Sequence, residues 1–123
     1  MSEYAIYGLV DPRTEKIRYI GISTNVFKRY REHTQIIDLT TPKGQWVNEL
    51  YSLNMRPMLL MMGIAPDEST ARQKEKTFIE RYGKNDLFNF IHNTANIDGG
   101  TRIDDPELAA LVQSELMEAS NDI

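Results

Sequence analysis

The chain has no cysteine among its 123 residues. Disulfide bonds and thiolate sites are therefore excluded, so any metal ion must be held by oxygen or imidazole ligands, which favours a hard cation. Long apolar runs are also missing, since the longest spans residues 58–62, far fewer than the roughly 20 that cross a bilayer. The first residues show no basic and then apolar leader, so we expect a cytoplasmic protein.

The composition is that of an ordinary globular domain, with 41% hydrophobic and 26% charged residues. Disordered, collagen-like and low-complexity chains are thereby excluded. The length fits one domain, for which about 100–200 residues is usual, and we find no internal repeat or flexible linker. We interpret residues 1–100 as the folded domain and residues 101–123 as an acidic helical tail of the same unit.

The negative charge is concentrated near the carboxyl terminus. The net charge is -4, yet residues 1–97 hold 13 basic and 11 acidic side chains, whereas residues 98–123 hold one basic and seven acidic side chains. Residues 13–31 carry a local charge of +5, which is where a polyanion would bind in a salt-sensitive manner. Their basic residues are Arg13, Lys16, Arg18, Lys28, Arg29 and Arg31.

Three segments have the composition of strands. Residues 4–10 and 16–22 are rich in aromatic and branched side chains, and the short connection after Asp11-Pro12 predicts an antiparallel hairpin. Residues 57–64 form a continuous apolar run, which predicts a buried central strand with its methionines in the core.

Helical spacing predicts four helices. The first follows the cap cluster at residues 23–25, with an apolar stripe of Val26, Phe27, Tyr30 and Ile37. A break at residues 42–44 precedes a second helix that ends at Asn54, and a third helix runs from Ala71 to Tyr82. The last spans about residues 106–119. The pattern predicts an α+β fold, a small three-stranded sheet flanked by helices.

Glu75 stands out because the helical spacing turns it inward. It shares a stripe with Ala71, Phe78 and Ile79. A buried carboxylate needs a cation, supplied by an Arg, a Lys or a metal ion, or else it is protonated. The alternative is that Glu75 lies at the edge of the stripe beside a lysine and is solvated.

Arg29 and His33 are four residues apart on the first predicted helix and therefore share a face. A guanidinium fits phosphate oxygens, and the unperturbed pKa of histidine lies near neutrality, so the pair could bind a phosphate and relay a proton. The alternative, which is the more usual case for such a pair on a basic helix, is that both are solvated surface residues. Taken singly, Tyr7 and Tyr19 are typical core or edge residues of strands, and Asn93 is a typical turn or cap residue.

The order of these residues along the chain is more specific than any of them alone. The sequence contains Ala5-Ile6-Tyr7, then Tyr19-Ile20-Gly21, Arg29, His33, Glu75 and Asn93, followed by Gly99-Gly100. Over about residues 4–100 it resembles the catalytic domain of the GIY-YIG endonucleases. The resemblance implies a three-stranded antiparallel sheet with flanking helices and a site that hydrolyses phosphodiester bonds with one divalent cation, Mg²⁺ or Mn²⁺.

The resemblance also implies a role for each of these residues. Glu75 would be the metal ligand, Arg29 would clamp the scissile phosphate, and Asn93 would support the site. Tyr7 would be the general base, with Tyr19 beside it and His33 as relay; since a phenol has a pKa near 10, a cation or Arg29 and Lys28 must stabilise the phenolate. Substrate binding would fall to Arg13, Lys16, Arg18, Lys28 and Arg31.

The sequence departs from the family pattern at both ends. The first motif begins with Ala5 instead of glycine, and no DNA-binding module follows Gly100. DNA is the expected substrate and RNA the alternative, and the habits of the family imply a bacterial, phage or mobile-element origin. Two other hypotheses remain open: a non-catalytic nucleic-acid-binding or adaptor module with this fold, and a homodimer or larger assembly formed through the C-terminal helix.

Overall fold

A computed structural model describes residues 3–82, 87–89 and 100–121, with the side chains of the last helix described to residue 117. Asn93, Gly99 and the far end of the chain lie outside the described residues. In chain order, the elements are β1 (Tyr4–Asp11), β2 (Lys16–Ser23), α1 (Val26–Gln35), α2 (Pro42–Ser52), β3 (Met58–Ala65), α3 (Glu68–Tyr82) and α4 (Pro106–Asn121). The predicted α+β class is confirmed.

The three strands form an antiparallel sheet in the order β2-β1-β3. The prediction that the third strand is central is wrong, because β3 pairs only with β1 among the described residues. Its methionines are not all in the core either: Met62 is buried, whereas Met58 and Met61 are 39% and 38% exposed. An apolar run alone cannot distinguish a strand covered on both faces from an edge strand.

Side chains alternate across the sheet and form one apolar cluster on each face. The face that α3 and α4 cover includes Ile6, Val10 and Ile20 from the sheet, Phe78 from α3 and Leu108 from α4. The opposite face packs Tyr7 and Leu9 against Trp46, Val47 and Leu50 of α2. Burying each such side chain contributes about 1.5–3 kcal/mol. This packing fixes α3 and α4 to one face of the sheet and α2 to the other.

Helix α1 begins where the cap cluster predicts. The Asn25 side chain caps it by accepting a hydrogen bond from the backbone N–H of Lys28 at 3.1 Å. The predicted apolar stripe is wrong at Phe27, which is 76% exposed, and Ile37 lies beyond the helix. The buried face instead carries Val26, His33 and Thr34. One residue turns the helix by about 100°, which takes Phe27 away from Val26 and off that face.

Helix α2 begins at Pro42, where the sequence suggested a break. Proline is suited to the first helical position because its missing N–H would have no partner there. The Thr41 side chain caps the helix by accepting a hydrogen bond from the backbone N–H of Gly44 at 3.0 Å. The predicted break is therefore a helix start, and it places Lys43 in the first turn of α2.

A buried carboxylate connects α2 to the end of β1. Asp11 is fully buried, and its oxygens accept hydrogen bonds from Trp46 Nε1 at 2.9 Å and from Arg13 Nη2 at 2.9 Å. Burial disfavours the carboxylate, but these hydrogen bonds outweigh that cost and hold the pKa of Asp11 below its usual value. Because Trp46 lies in α2, this contact fixes the helix relative to the central strand.

Helix α4 packs on the sheet beside β3. Leu108 is fully buried in the core cluster, and Glu115 forms an ion pair of 2.8 Å with Lys74 of α3. The segment before it is bonded to β2, since the Ile17 N–H donates to the Thr101 carbonyl at 2.9 Å. None of the helices in the described part of the chain is both long and apolar enough for a bilayer.

Candidate active site

Three aromatic rings meet on the face of the sheet that α1 and α2 cover. Tyr7 is opposite Gly21 and Tyr19 is opposite Leu9 in the β1–β2 register, which puts both phenols on one face. Their ring centroids are 6.4 Å apart. The His33 ring from α1 lies 5.9 Å from the Tyr7 ring and 5.0 Å from the Tyr19 ring. Residues from two strands and one helix thus form one cluster.

Gly21 makes room for this cluster. A Cβ atom at Gly21 would lie 2.7 Å from Tyr7 Oη, 2.8 Å from Tyr7 Cζ and 3.1 Å from Tyr19 Cε2. Any larger residue would displace one of the phenol rings, because separations below 3 Å are repulsive for carbon. The glycine of the Tyr19-Ile20-Gly21 motif is therefore required by the position of Tyr7 on the neighbouring strand.

A line of polar atoms runs through His33. Tyr7 Oη lies 2.8 Å from His33 Nε2, and Lys43 Nζ lies 2.7 Å from His33 Nδ1. Lys43 Nζ also stands 4.9 Å from the centroid of the Tyr19 ring. Lys43 was not predicted from the sequence, where Pro42-Lys43-Gly44 indicated only a break. A proline after a capping threonine was the available signal for a helix start, but it gives no indication of a contact with His33.

His33 is held in its neutral form. Burial lowers its pKa, and the charges of Lys43 and Arg29 lower it further, to about 3. The expectation that His33 titrates near neutrality is therefore not met. A neutral imidazole has one donor and one acceptor nitrogen. The direction of the hydrogen bond at one nitrogen of His33 therefore fixes the direction of the hydrogen bond at the other.

Both phenols resist ionisation in the protein alone. Burial, then the nearby Tyr19 and Glu75, raise the pKa of Tyr7 to about 12, although Arg29 opposes the shift. The pKa of Tyr19 is also raised, first by burial, with Arg29 again opposing and Glu75 contributing. Any chemistry that needs a phenolate here requires additional positive charge.

Arg29 stands at the edge of the cluster. Its side chain is 41% exposed and forms an ion pair of 3.2 Å with Glu32 one turn along α1. Its charge favours the ionised form of both phenols. A guanidinium that is partly in solvent and close to Tyr7 is suitably placed to bind a phosphate oxygen without first leaving a buried partner.

Glu75 is half-buried on α3, and its field acts on both phenols. Burial raises its pKa, although Arg72 opposes the shift. The two neighbouring lysines do not pair with it, because Lys74 pairs with Glu115 and Lys76 lies near Glu80. Within the described residues, the Glu75 carboxylate has no hydrogen-bond donor and no ion-pair partner.

This carboxylate fits a divalent cation with few protein ligands. No group of three or more His, Asp or Glu side chains with the spacing of a metal site occurs in the part of the chain that is described. Mg²⁺ commonly uses one or two carboxylates and completes its shell with water and substrate phosphate oxygens. A half-buried carboxylate with a raised pKa gains from such a cation, which would remove the cost of its charge.

The predicted basic surface is smaller than expected. Arg18 is wrong as a surface residue, because it is fully buried and its guanidinium lies 4.4 Å over the Phe88 ring. Arg13 is bonded to Asp11, and Lys16 lies within β2. Lys28 and Arg31 are exposed on α1, and because they are three residues apart they share a face of that helix.

Asn93 lies outside the described residues, but another asparagine has a defined place. The Asn89 side chain accepts a hydrogen bond from the Ile20 N–H at 3.1 Å and donates one to the Ile20 carbonyl at 2.8 Å. It thus satisfies the backbone of β2 at the middle residue of the Tyr19-Ile20-Gly21 motif, as a neighbouring strand would. No pattern in the sequence indicated this contact.

The fold and the cluster define a small α+β domain with a tyrosine, histidine, arginine and glutamate site. Comparison with protein families gives the class: the family model described as the GIY-YIG catalytic domain matches residues 3–89, more than two thirds of the chain. The chain belongs to the GIY-YIG family, a nuclease family. No match was found among the curated proteins or among the solved structures.

Proposed function

We propose that the protein is a divalent-metal-dependent endonuclease that hydrolyses phosphodiester bonds, with DNA as its substrate. The observations that support this most directly are the contact of Tyr7 with His33, with Arg29 beside them, and a half-buried Glu75 whose charge acts on both phenols and which has no ion-pair partner among the described residues. Ordinary packing does not require such a carboxylate, because burying a charge that has no partner costs free energy. A cation and a phosphate would supply the missing interactions.

In this proposal the Tyr7 hydroxyl first loses its proton to solvent, and Oη of the resulting phenolate then takes a proton from the attacking water. With a pKa of about 12, Tyr7 is ionised in only about one molecule in 100,000 at neutral pH. Arg29 offsets the charge of the phenolate and clamps the phosphate, and Glu75 holds the cation. When bound, the cation supplies positive charge that stabilises the developing charge on the phosphate and leaving oxygens.

Nicking of supercoiled plasmid tests this proposal. We expect nicking with Mg²⁺ or Mn²⁺, none with EDTA, and a loss of at least about 100-fold in Glu75→Gln and Tyr7→Phe. The matched control is Glu80→Gln, which removes an exposed carboxylate from the same helix and should nick at the wild-type rate. Nicking that persists equally in Glu75→Gln would exclude the metal site and indicate a contaminating nuclease.

The same preparations distinguish cleavage from binding alone. A non-catalytic nucleic-acid-binding module would retard DNA in a gel without nicking it under any metal condition. Replacing Lys28 and Arg31 by alanine should weaken binding and reduce the dependence on salt, by about one unit of slope for each phosphate that is no longer neutralised. An RNA duplex and a single strand in parallel reactions decide between DNA and RNA.

A further inference from the structure

The contact between Lys43 and His33 has a direction. An ammonium group has three donors and no acceptor, so Lys43 Nζ donates to His33 Nδ1, which lies 2.7 Å away. A neutral imidazole whose Nδ1 accepts must carry its proton on Nε2. That nitrogen lies 2.8 Å from Tyr7 Oη, so Nε2–H donates to the phenol oxygen. The lysine thus selects the tautomer that a second residue presents to Tyr7.

We propose that Lys43 is a positioning residue of the cleavage reaction, which fixes His33 in the tautomer whose Nε2–H donates to the Tyr7 oxygen. This inference rests on the proposed function. In the other tautomer, Nε2 would accept, and the Tyr7 hydroxyl would turn its proton toward His33. In the selected tautomer the phenol oxygen is an acceptor, and a phenolate formed there has a donor already in place.

The surroundings of Lys43 support a fixed geometry. Pro42 and the Thr41 cap set the backbone at the start of α2, and Asp11 holds that helix through Trp46. The ammonium also lies against the face of the Tyr19 ring. Arg29 is the other positive charge that acts on His33, so both cations disfavour an imidazolium and leave the neutral ring as the form to be oriented.

Nitrogen NMR of ¹⁵N-histidine protein reads the tautomer directly, without metal or DNA. The chain has two histidines, His33 and His92, and His92→Gln assigns their signals. In the wild type we expect a His33 Nδ1 shift typical of an unprotonated nitrogen and an Nε2 shift typical of a protonated one. Lys43→Met should move Nδ1 toward the protonated range, and Lys43→Arg, which keeps a donor, should restore it.

Single-turnover nicking gives the second readout. We expect Lys43→Met to nick about 10- to 100-fold more slowly, as is usual when the group that orients a functional histidine is removed, and Lys43→Arg to recover most of the rate. The matched control is Lys76→Met, which removes an exposed lysine from α3 and should leave the His33 shifts unchanged. Circular dichroism checks that each variant is folded.

The outcomes separate this inference from the proposed function. A protonated Nδ1 in the wild type overturns the inference even if Lys43→Met does not fold. So do shifts that are the same in wild type and Lys43→Met, or equal nicking rates in a wild type that does cleave. If the shifts respond as expected but the wild type never nicks DNA, the proposed function fails and only the tautomer assignment is retained.

Discussion

The neutral state of His33 predicts how the stability of the protein depends on pH. The pKa of His33 is about 3 in the folded protein, against an ordinary value of 6.5. Because the pKa of His33 is lower in the folded protein, the stabilisation is complete at pH values above its ordinary pKa. It is lost as the pH falls toward the pKa of the folded protein. When the pH is lowered from about 7.5 to about 5.5, protonation of His33 in the unfolded chain lowers the free energy of unfolding by about 1.4 kcal/mol.

Urea denaturation in EDTA at these two pH values measures this effect. With an m-value of about 1–2 kcal/mol/M, the transition midpoint should fall by about 1 M because of His33 alone. His33→Gln is the reference, since glutamine keeps polar atoms near Tyr7 and Lys43 but does not titrate. Every other group titrates in both proteins, so the difference isolates His33. If the two proteins lose stability in parallel, His33 is not held neutral by its neighbours.

Three further perturbations test the site and its support. Gly21→Ala should lower the nicking rate at least about 10-fold, because its Cβ would lie 2.7 Å from the Tyr7 oxygen. Gly63→Ala, whose Cβ would have its nearest neighbour at 3.5 Å, should not lower it. Equal rates in the two variants would contradict the close approach at Gly21. In EDTA, Glu75→Gln should raise the melting temperature, since it removes a half-buried charge, and Mg²⁺ should stabilise only the wild type in a thermal-shift assay. Truncation after Gly100 removes the buried Leu108 and should cost at least about 2 kcal/mol in urea denaturation, so an unchanged midpoint would make α4 dispensable.

The elements of the fold were largely predictable because local patterns determine them. Segments rich in aromatic and branched residues identified β1 and β2, and the cap cluster at residues 23–25 marked the start of α1. The order of the strands was not predictable, since a run such as residues 58–62 is equally apolar in a central or an edge strand. Phe27 illustrates the same limit, because only tertiary packing decides which side of a short helix is buried.

The site was predictable only where the resemblance named its residues. Tyr7, Tyr19, Arg29 and His33 lie together, but the charge count placed Arg18 on a basic surface although the structure buries it over Phe88. Charge along a sequence does not report burial. Nor does it report the bulge at Arg18, which the strand register skips because Leu9 pairs with Tyr19 and Val10 pairs with Ile17. The contact of Lys43 with His33 depends on how α2 packs beside α1, and no local sequence pattern determines that packing.

The buried Asp11 connects this geometry to a point outside the cluster. Asp11 follows Tyr7 by four residues on β1, about 13 Å along the strand, and it holds Trp46, which follows Lys43 by three residues on α2. The middle of the strand therefore carries the phenol, while its last residue holds the helix whose lysine orients the histidine beside that phenol. A substitution at Asp11 would disturb proton positions at Tyr7 without touching any atom of the tyrosine.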